Sequence, residues 1–309
     1  MKTTGVLATL AAPALAAYKG FNYGALDLSG ATRNQASFET EFNVAKNLAG
    51  TNGAFTSARL YTSLQGTSTA PIEAIAAAVN TETSLLLGIW ISGNPNVDNE
   101  VNAIKAAIDA HGSAFTDLVA GISVGNEDVY RITDLGIASN AGPGVTPQGV
   151  ADYVNQVRSG LAGTALEGKP IGHVDTYNTF SNSSGWMAPV IEAVDFIGMN
   201  GFPYFEDTKP NGIENGNATF WGDYDAVVGQ AGDKEIWVTE TGWPSSGPQS
   251  GAATPSVANA ETYFGEVYCS LVARGINVWW YTLEDSTADA SVPSFGVAEG
   301  GSPKYDLSC

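Results

Sequence analysis

Residues 118–127, LVAGISVGNE, are followed by the stretch 147–162 and then by KPIGHVDTY at 169–177, and this succession decides the fold. The first and third runs are short and rich in apolar or β-branched residues, which is typical of buried strands. The middle stretch has the apolar spacing of an amphipathic helix. A strand, a helix and a second strand in this order predict parallel pairing through a right-handed crossover.

The same alternation extends in both directions from this unit. Eight runs are strand candidates: 19–24, 57–63, 84–92, 118–127, 169–177, 195–202, 235–241 and 276–284. The helical stretches are 38–48, 71–80, 99–111, 147–162, 186–193, 219–230 and 256–274. The pattern predicts an α/β protein with a single (β/α)8 TIM barrel over residues 18–309 and its site at the C-terminal ends of the strands. An open doubly wound sheet is the alternative, but no glycine-rich phosphate fingerprint follows the first strand.

Charge excludes several classes of partner. The chain of 309 residues carries 13 Lys and Arg against 32 Asp and Glu, a formal net charge of −19. Such a field repels phosphate backbones and anionic membrane surfaces, so nucleic acid is not an expected partner. Only 15% of the residues are charged, a composition that suits an acidic extracellular medium.

The first residues indicate secretion. Lys2 precedes an apolar run at 6–16 that ends in Ala14-Leu15-Ala16, where the two alanines supply the small side chains that a signal peptidase accepts. The run is too short to span a bilayer, so we expect a signal peptide at 1–17 rather than a membrane anchor, with a core helix as the alternative. No later stretch is apolar enough to cross a membrane.

Secretion gives meaning to two other features. Cys269 and Cys309 are the only cysteines, and an oxidising compartment favours a disulfide between them. Asn182 and Asn217 each begin a glycosylation acceptor triplet.

Polar and aromatic side chains are concentrated where the predicted strands end, which is where a barrel carries its active site. The set is Tyr23, Arg59, Tyr61, Trp90, Asn126, Glu127, Asp175, Tyr177, Asn200, Phe202, Tyr204, Glu240, Trp243 and Glu284.

Glu127 ends the fourth strand candidate. Counting by period two, Gly121, Ser123 and Gly125 share its face, so small residues leave room around the carboxyl group.

Glu240 ends the seventh strand candidate, where Ile236 and Val238 are expected on the same face. The fourth and seventh strands lie on roughly opposite sides of the ring, so the two glutamates can face each other across a bound molecule. One carboxylic acid can then protonate a glycosidic oxygen while the other attacks the sugar or activates water. Arg59 can keep Glu240 ionised. The alternative is two ordinary strand-end carboxylates.

Sequence motifs around both glutamates carry a family resemblance. GISVGNEDVYR (121–131) and WVTETGWPSSG (237–247) resemble the acid/base and nucleophile signatures of glycoside hydrolase family 17, the β-1,3-glucanase family. Further segments, covering nearly the whole chain, resemble its fungal cell-wall endo-β-1,3-glucosidase branch: KGFNYG (19–24), ARLYT (58–62), PIGHVDTY (170–177), MNGFPYF (199–205), VWWYTLEDS (278–286) and KYDLSC (304–309).

The resemblance implies a retaining mechanism on laminarin-type β-1,3-glucan, no cofactor, and residence outside the cell or in the cell wall. Glu127 matches the proton donor and Glu240 the nucleophile. Asn126 matches an asparagine that binds the sugar 2-hydroxyl. Asn200, Phe202 and Tyr204 match a sugar-binding stretch, and Glu284 matches an acidic residue after strand eight. The lysine that often follows that acidic residue is missing.

Aromatic side chains at the strand ends are candidate sugar platforms, or they fill the upper layer of the barrel. The candidates are Tyr23, Tyr61, Tyr177, Phe202, Tyr204 and Trp243. Trp279 and Trp280 must point to opposite sides of their strand, and Trp280, on the face of Glu284, is the expected floor of the cleft.

Other chemistries fit the sequence less well. His111 and His173 have no ligand spacing around them, so no metal site is expected. Ser245 and Ser246 lack the G-x-S-x-G turn of a serine hydrolase.

Several alternatives stay open at this point. Transglycosylation uses the same two glutamates, a wall-binding protein uses neither, and another retaining glycosidase would act on β-1,4-linked glucan or mannan. We expect a monomer. Some members of the resembling family continue into a Ser-rich stalk and a lipid-anchor signal, so the chain is expected to be either freely secreted or part of a longer protein.

Overall fold

The computed structural model describes residues 16–27, 29–93, 97–285 and 289–309. The expected signal peptide at 1–17 therefore lies outside the described residues except for Ala16 and Ala17.

Eight parallel strands form a closed barrel in chain order, with the eighth strand paired to the first. They are β1 (Lys19–Tyr23), β2 (Ser57–Leu60), β3 (Ser84–Ile89), β4 (Val119–Asn126), β5 (Ile171–Thr176), β6 (Phe196–Asn200), β7 (Glu235–Glu240) and β8 (Val278–Trp280). The predicted TIM barrel is confirmed, and every strand falls inside its predicted range.

Helices follow the strands and form the outer layer. They are α1 (Gln35–Asn47), α2 (Ala74–Thr81), α3 (Val97–His111), α4 (Ser113–Thr116), α5 (Asp134–Ala138), α6 (Pro147–Leu161), α7 (Tyr177–Phe180), α8 (Ala188–Ala193), α9 (Ile213–Ala231), α10 (Val257–Tyr263) and α11 (Cys269–Ala273). Side-chain caps fix the start of four of them, including α1 and α6. The Asn34 side chain accepts from the Ser37 amide before α1, and Thr146 accepts from Gly149 before α6, where Pro147 opens the helix.

The short elements were not predicted. Helices α4, α5 and α7 have four or five residues each, too few to show a period in the sequence. The stretch expected as one helix at 256–274 consists of α10, a π-helical segment at Phe264–Tyr268, and α11. A two-stranded antiparallel ribbon, β9 (Ala298–Glu299) with β10 (Ser302–Pro303), follows the barrel.

The floor of the barrel is an aromatic cluster separate from the main core. It contains Leu86, Phe196, Trp237 and Trp279, all buried. The Phe196 and Trp237 rings stack with centroids 3.7 Å apart, and those of Trp237 and Trp279 lie 5.9 Å apart. Glycine makes room for these rings, since a Cβ on Gly172 would lie 2.4 Å from the Phe196 ring.

Trp280 points the other way. Its ring packs against Tyr263, Phe264 and Tyr268 in the helix layer, with centroid distances of 5.2–5.8 Å. The expectation that Trp280 floors the cleft is therefore wrong, because strand alternation gives the inward position to Trp279.

Cys269 and Cys309 form the expected disulfide, with Cα atoms 5.4 Å apart. Asn182 is exposed after α7, whereas Asn217 lies within α9 and has an enclosed side-chain oxygen. Of the two acceptor triplets, the one that begins at Asn182 is thus the exposed one. Within the described ranges, no helix combines the length and apolarity that a bilayer crossing requires.

Candidate active site

The end of β4 does not follow the alternation that the sequence predicted. Gly125 has φ +86° and Glu127 has φ +58°, and the pairing register with β5 shifts between Ser123 and Asn126. As a result two consecutive side chains, Asn126 and Glu127, both reach the amide of Asn200. Gly121, Ser123, Gly125 and Glu127 were expected to share one face, and this is wrong at the end of the strand. Side chains alternate between the two faces only where the backbone is extended, and Gly125 and Glu127 are left-handed.

The end of β7 departs from alternation as well. Trp237 belongs to the barrel floor and the Thr239 hydroxyl donates to Asn200, so these side chains, rather than Ile236 and Val238, point inward. Glu240 follows Thr239 directly, yet its carboxylate also turns into the barrel mouth to meet Arg59. The register between β6 and β7 shifts at this point. An irregularity in the ladder, and not period two, positions this glutamate.

Glu240 accepts two hydrogen bonds from neighbouring strand ends, both on Oε1. Arg59 Nη1 lies 2.6 Å away and Tyr61 Oη 2.9 Å away. Arg59 is 0% exposed and is itself fixed, since Nη1 donates to Asn22 at 2.7 Å and Nη2 to Asn126 at 2.8 Å. The buried guanidinium thus forms a charge-assisted hydrogen bond with the Glu240 carboxylate.

Glu127 has a different environment. Burial, and then the negative charge of Glu240, raises the pKa of the Glu127 carboxyl to about 7, while the hydrogen bond from Asn200 opposes the rise. Asn200 Nδ2 lies 2.9 Å from Glu127 Oε1. Glu127 therefore holds its proton in weakly acidic solution, as a general acid must.

Polar side chains link the two carboxylates across the mouth. Arg59, which binds Glu240, also donates to Asn126 Oδ1, and Asn200 donates to the same oxygen at 3.3 Å as well as to Glu127. Four of the predicted residues, Arg59, Tyr61, Asn126 and Asn200, thus lie in one network with the glutamates.

Two residues of this network, Asn22 and Thr239, were not predicted from the sequence. Asn22 Nδ2 donates to the Thr239 carbonyl and Asn22 Oδ1 accepts from Arg59, which fixes the guanidinium from the side of β1. The available signal was a polar residue at an inward position of an otherwise apolar strand.

A cavity of about 180 Å³ opens beside Tyr61 and contains two more predicted residues, Tyr23 and Glu284. Tyr23 is 2% exposed, and its hydroxyl has no hydrogen-bond partner among the described residues. Glu284 accepts from the Gly301 amide at 3.0 Å, while Lys304 pairs with the neighbouring Asp285. Glu284, the acidic residue after strand eight, is thus bound by a backbone amide. The lysine that often follows it in the resembling family is missing here.

Tyr204 and Trp243 do not form sugar platforms in this structure. Each is 1% exposed, and their rings pack edge to face 5.8 Å apart. The Tyr204 hydroxyl donates to the Pro248 carbonyl and Trp243 Nε1 to that of Thr254. Both rings form the packed base of the loops after β6 and β7, which corrects the prediction.

Tyr177 and Phe202 take intermediate positions. Tyr177 donates to Glu206 at 2.7 Å and carries the Lys209 ammonium over its ring, so it belongs to a polar cluster after β5 and β6. Phe202 is half-buried and meets the rings of Tyr281 and Phe295 edge to face. Trp90, 36% exposed, lies under the Arg131 guanidinium.

No group of three or more His, Cys, Asp and Glu side chains in the described part of the chain is arranged to hold a metal ion. The site pairs the carboxyl group of Glu127 with the carboxylate of Glu240, and hydrogen-bonded polar side chains link the two.

Comparison with known proteins gives concordant relatives. The model of the BtgE/BtgC glycoside hydrolase domain matches residues 20–299. A protein of Emericella nidulans named probable glucan endo-1,3-beta-glucosidase is 48% identical over 307 residues, which cover 98% of this chain and 65% of that protein. The chain thus spans less than two thirds of that relative's length.

Solved structures agree with the fold. The crystal structure of a glycoside hydrolase family 17 beta-1,3-glucanosyltransferase from Rhizomucor miehei is 27% identical with TM-score 0.72, covering 94% of this chain and 98% of the other. An active-site mutant of the Rhizomucor miehei beta-1,3-glucanosyltransferase in complex with laminaritriose is 26% identical, with the same TM-score of 0.72 and coverage of 94% and 98%.

Proposed function

The chain belongs to the BtgE/BtgC glycoside hydrolase domain family, and from that premise we propose that it hydrolyses β-1,3-glucan at internal bonds with retention of configuration. One observation carries the proposal. At a single barrel mouth, Glu127 has a pKa raised to about 7, and Glu240 is ion-paired with the buried Arg59. Retaining glycosidases need this division between a protonated acid and an anionic nucleophile.

In the first step Glu127 donates its proton to the glycosidic oxygen as the bond from that oxygen to the anomeric carbon breaks. A carboxylate oxygen of Glu240 forms a bond to the same carbon, giving a glycosyl-enzyme ester. Because Arg59 and Tyr61 both donate to Oε1, we assign the attack to Oε2.

In the second step the Glu127 carboxylate takes a proton from water, the water oxygen attacks the anomeric carbon, and Glu240 leaves as a carboxylate. Two inversions give net retention, and each proton that Glu127 loses is returned. Asn126, fixed by Arg59 and Asn200, is placed next to the acid to bind the 2-hydroxyl, where such bonds strengthen in the transition state.

The names of the relatives support the choice of substrate. The Emericella nidulans relative is named for endo-1,3-β-glucan cleavage, and the Rhizomucor miehei transferase was solved with a β-1,3-linked trisaccharide. That transferase also favours a second candidate, in which another glucan chain replaces water in the second step.

Product analysis separates these outcomes. Wild type incubated with laminarin should release new reducing ends, and 1H NMR should show the β-anomer first. Oligosaccharides longer than the starting substrate would establish transfer. An absence of new reducing ends would overturn the proposal and favour a binding protein.

Glu192→Ala provides a matched control for the catalytic glutamates because Glu192 is exposed on α8 in the helix layer. It should cleave laminarin like wild type. We expect carboxyl groups about 5–5.5 Å apart in the complex with substrate, whereas about 6.5–9.5 Å would indicate inversion.

We also propose that the protein is secreted and acts outside the cell or at the cell wall. The disulfide at Cys269 and the exposed Asn182 triplet support this localisation. Mass spectrometry of protein from culture medium should find an N-terminus near Ala17 and a glycan on Asn182. Exclusive recovery of the uncleaved chain from cells would overturn it.

A further inference from the structure

His173 and Asp175 are neighbours on one face of β5, and the mechanism above does not use them. Both side chains are 0% exposed. His173 Nε2 lies 3.1 Å from Asp175 Oδ2, and His173 Nδ1 lies 2.7 Å from the Val124 carbonyl oxygen of β4. A buried imidazole with a partner on each nitrogen has its orientation fixed.

His173 and Asp175 bind the backbone on both sides of Glu127. His173 binds the Val124 carbonyl before it, and Asp175 accepts from the amides of Val129 at 2.9 Å and Tyr130 at 3.3 Å after it. Between these points lies the left-handed Glu127. A non-glycine residue is strained in that conformation, so the surroundings must hold it there.

Counting protons fixes the charge on the ring. A carbonyl oxygen only accepts, so Nδ1 of His173 must carry hydrogen. The Asp175 carboxylate accepts from three backbone amides, those of Val129, Tyr130 and Thr176, and its Oδ2, which faces His173 Nε2, is the acceptor of the Val129 bond, so it serves as an acceptor for the ring as well. Nε2 therefore donates as well, and the ring is an imidazolium.

The charged groups around the ring agree with this count. Asp175 lies on its own strand, and Asp128 lies on the loop after β4, between Glu127 and Arg131. Burial lowers the pKa of His173, but the hydrogen bond and charge of Asp175, with the charge of Asp128, outweigh burial and raise it above its ordinary value.

We propose that His173 is a positioning residue that acts as an imidazolium, fixing Asp175 and the β4 end so that Glu127 is aimed at the leaving oxygen. The inference rests on the proposed role of Glu127 as acid/base. It predicts that loss of the ring's second proton loosens the loop and weakens proton donation.

The protonation state can be measured directly because the chain has only two histidines. His111→Asn, at the end of α3, leaves His173 as the single imidazole and should keep wild-type activity. In 15N NMR of this variant, both ring nitrogens of His173 should be protonated at neutral pH and above. A neutral ring at pH 7 would overturn the proposal.

Activity then distinguishes positioning from folding. His173→Gln can still donate to Asp175 but carries no charge, and we expect kcat on laminarin to fall roughly 10- to 100-fold, part of what general acid catalysis contributes, with KM little changed. The first step on a dinitrophenyl β-glucoside of laminaribiose, whose leaving group needs no proton, should be nearly unaffected. Equal losses on both substrates, or no loss on laminarin, would contradict a positioning role.

Each failure has a distinct signature. Wild type that does not cleave laminarin overturns the proposed function, whereas a neutral His173 in an active enzyme overturns only this inference. Should His173→Gln fail to fold by circular dichroism, the NMR result on His111→Asn still decides.

Discussion

The ends of β4 and β7 present the same side chain in two opposite environments. Glu240 lies against a buried guanidinium and a phenol that both donate to it. Glu127 is buried, and burial and the neighbouring carboxylates raise its pKa, against which the Asn200 amide and the charge of Arg131 act. One backbone frame thus stabilises an anion on one side and a neutral acid on the other, which is how chemically identical groups take different roles.

Removing the Glu240 carboxylate should have the largest effect on activity. We expect Glu240→Ala to lower kcat on laminarin by roughly four to six orders of magnitude, the scale for loss of a nucleophile. Azide should restore turnover of an activated β-glycoside and give the α-azide, because a small anion then attacks from the vacated face. Glu127→Ala should instead give the β-azide. The opposite pair of products would exchange the two roles.

Removing the charge beside the anion should have the next largest effect. We expect Arg59→Gln to lower kcat roughly 100-fold and the free energy of unfolding by about 3–5 kcal/mol, because it leaves a buried carboxylate unpaired. Arg158→Gln is the matched control, since the Arg158–Asp195 pair is 42% exposed on both sides and should change stability by about 0–1 kcal/mol. Equal urea denaturation midpoints for the two variants would contradict the comparison.

The pH dependence of activity tests whether Glu127 is a neutral acid. A carboxyl with its pKa raised to about 7 is protonated below that pH, so kcat/KM should be retained in acid and fall tenfold per unit above about pH 7. A profile of kcat/KM from pH 4 to 9 checks this. An alkaline limb near the ordinary value of 4.5 would show that burial does not protect the proton.

The smallest effect should come from the amide that opposes the rise. Asn200→Ala removes a donor to the Glu127 carboxylate, so the alkaline limb should move up by about one pH unit, with a few-fold loss in kcat. Asn155→Ala, on the exposed face of α6, should leave the profile unchanged. A downward shift for Asn200→Ala would mean that Asn200 stabilises the neutral acid.

The barrel could be predicted from the sequence because its strands and helices have periodic apolar patterns. A strand can be recognised from its own apolar or β-branched run. A helix can be recognised from an apolar stripe such as Phe38, Phe42 and Ala45. Segments of four or five residues, such as α4 and α7, do not contain one full period. The π-helical turn at Phe264–Tyr268 differs from an α-helix in hydrogen bonding, which the apolar pattern does not record.

The site was predicted by residue type and only partly by geometry. Arg59, Tyr61, Asn126 and Asn200 were placed beside the glutamates, but period two gave the wrong neighbours at both strand ends. The causes, left-handed φ angles and register shifts, depend on contacts between distant strands. Tyr204 and Trp243 failed as platforms for a related reason, since motif position does not reveal which face of a ring the loops cover.

The aromatic floor gives this protein an optical reporter of ring closure. Trp237 and Trp279 lie on the last two strands, with indole centroids 5.9 Å apart, and such rigidly held chromophores couple their excited states. The resulting circular dichroism couplet requires β8 to be seated between its neighbours, which is the step that turns an open sheet into a closed one. Recording it during refolding would time that event separately from helix formation, without any added dye.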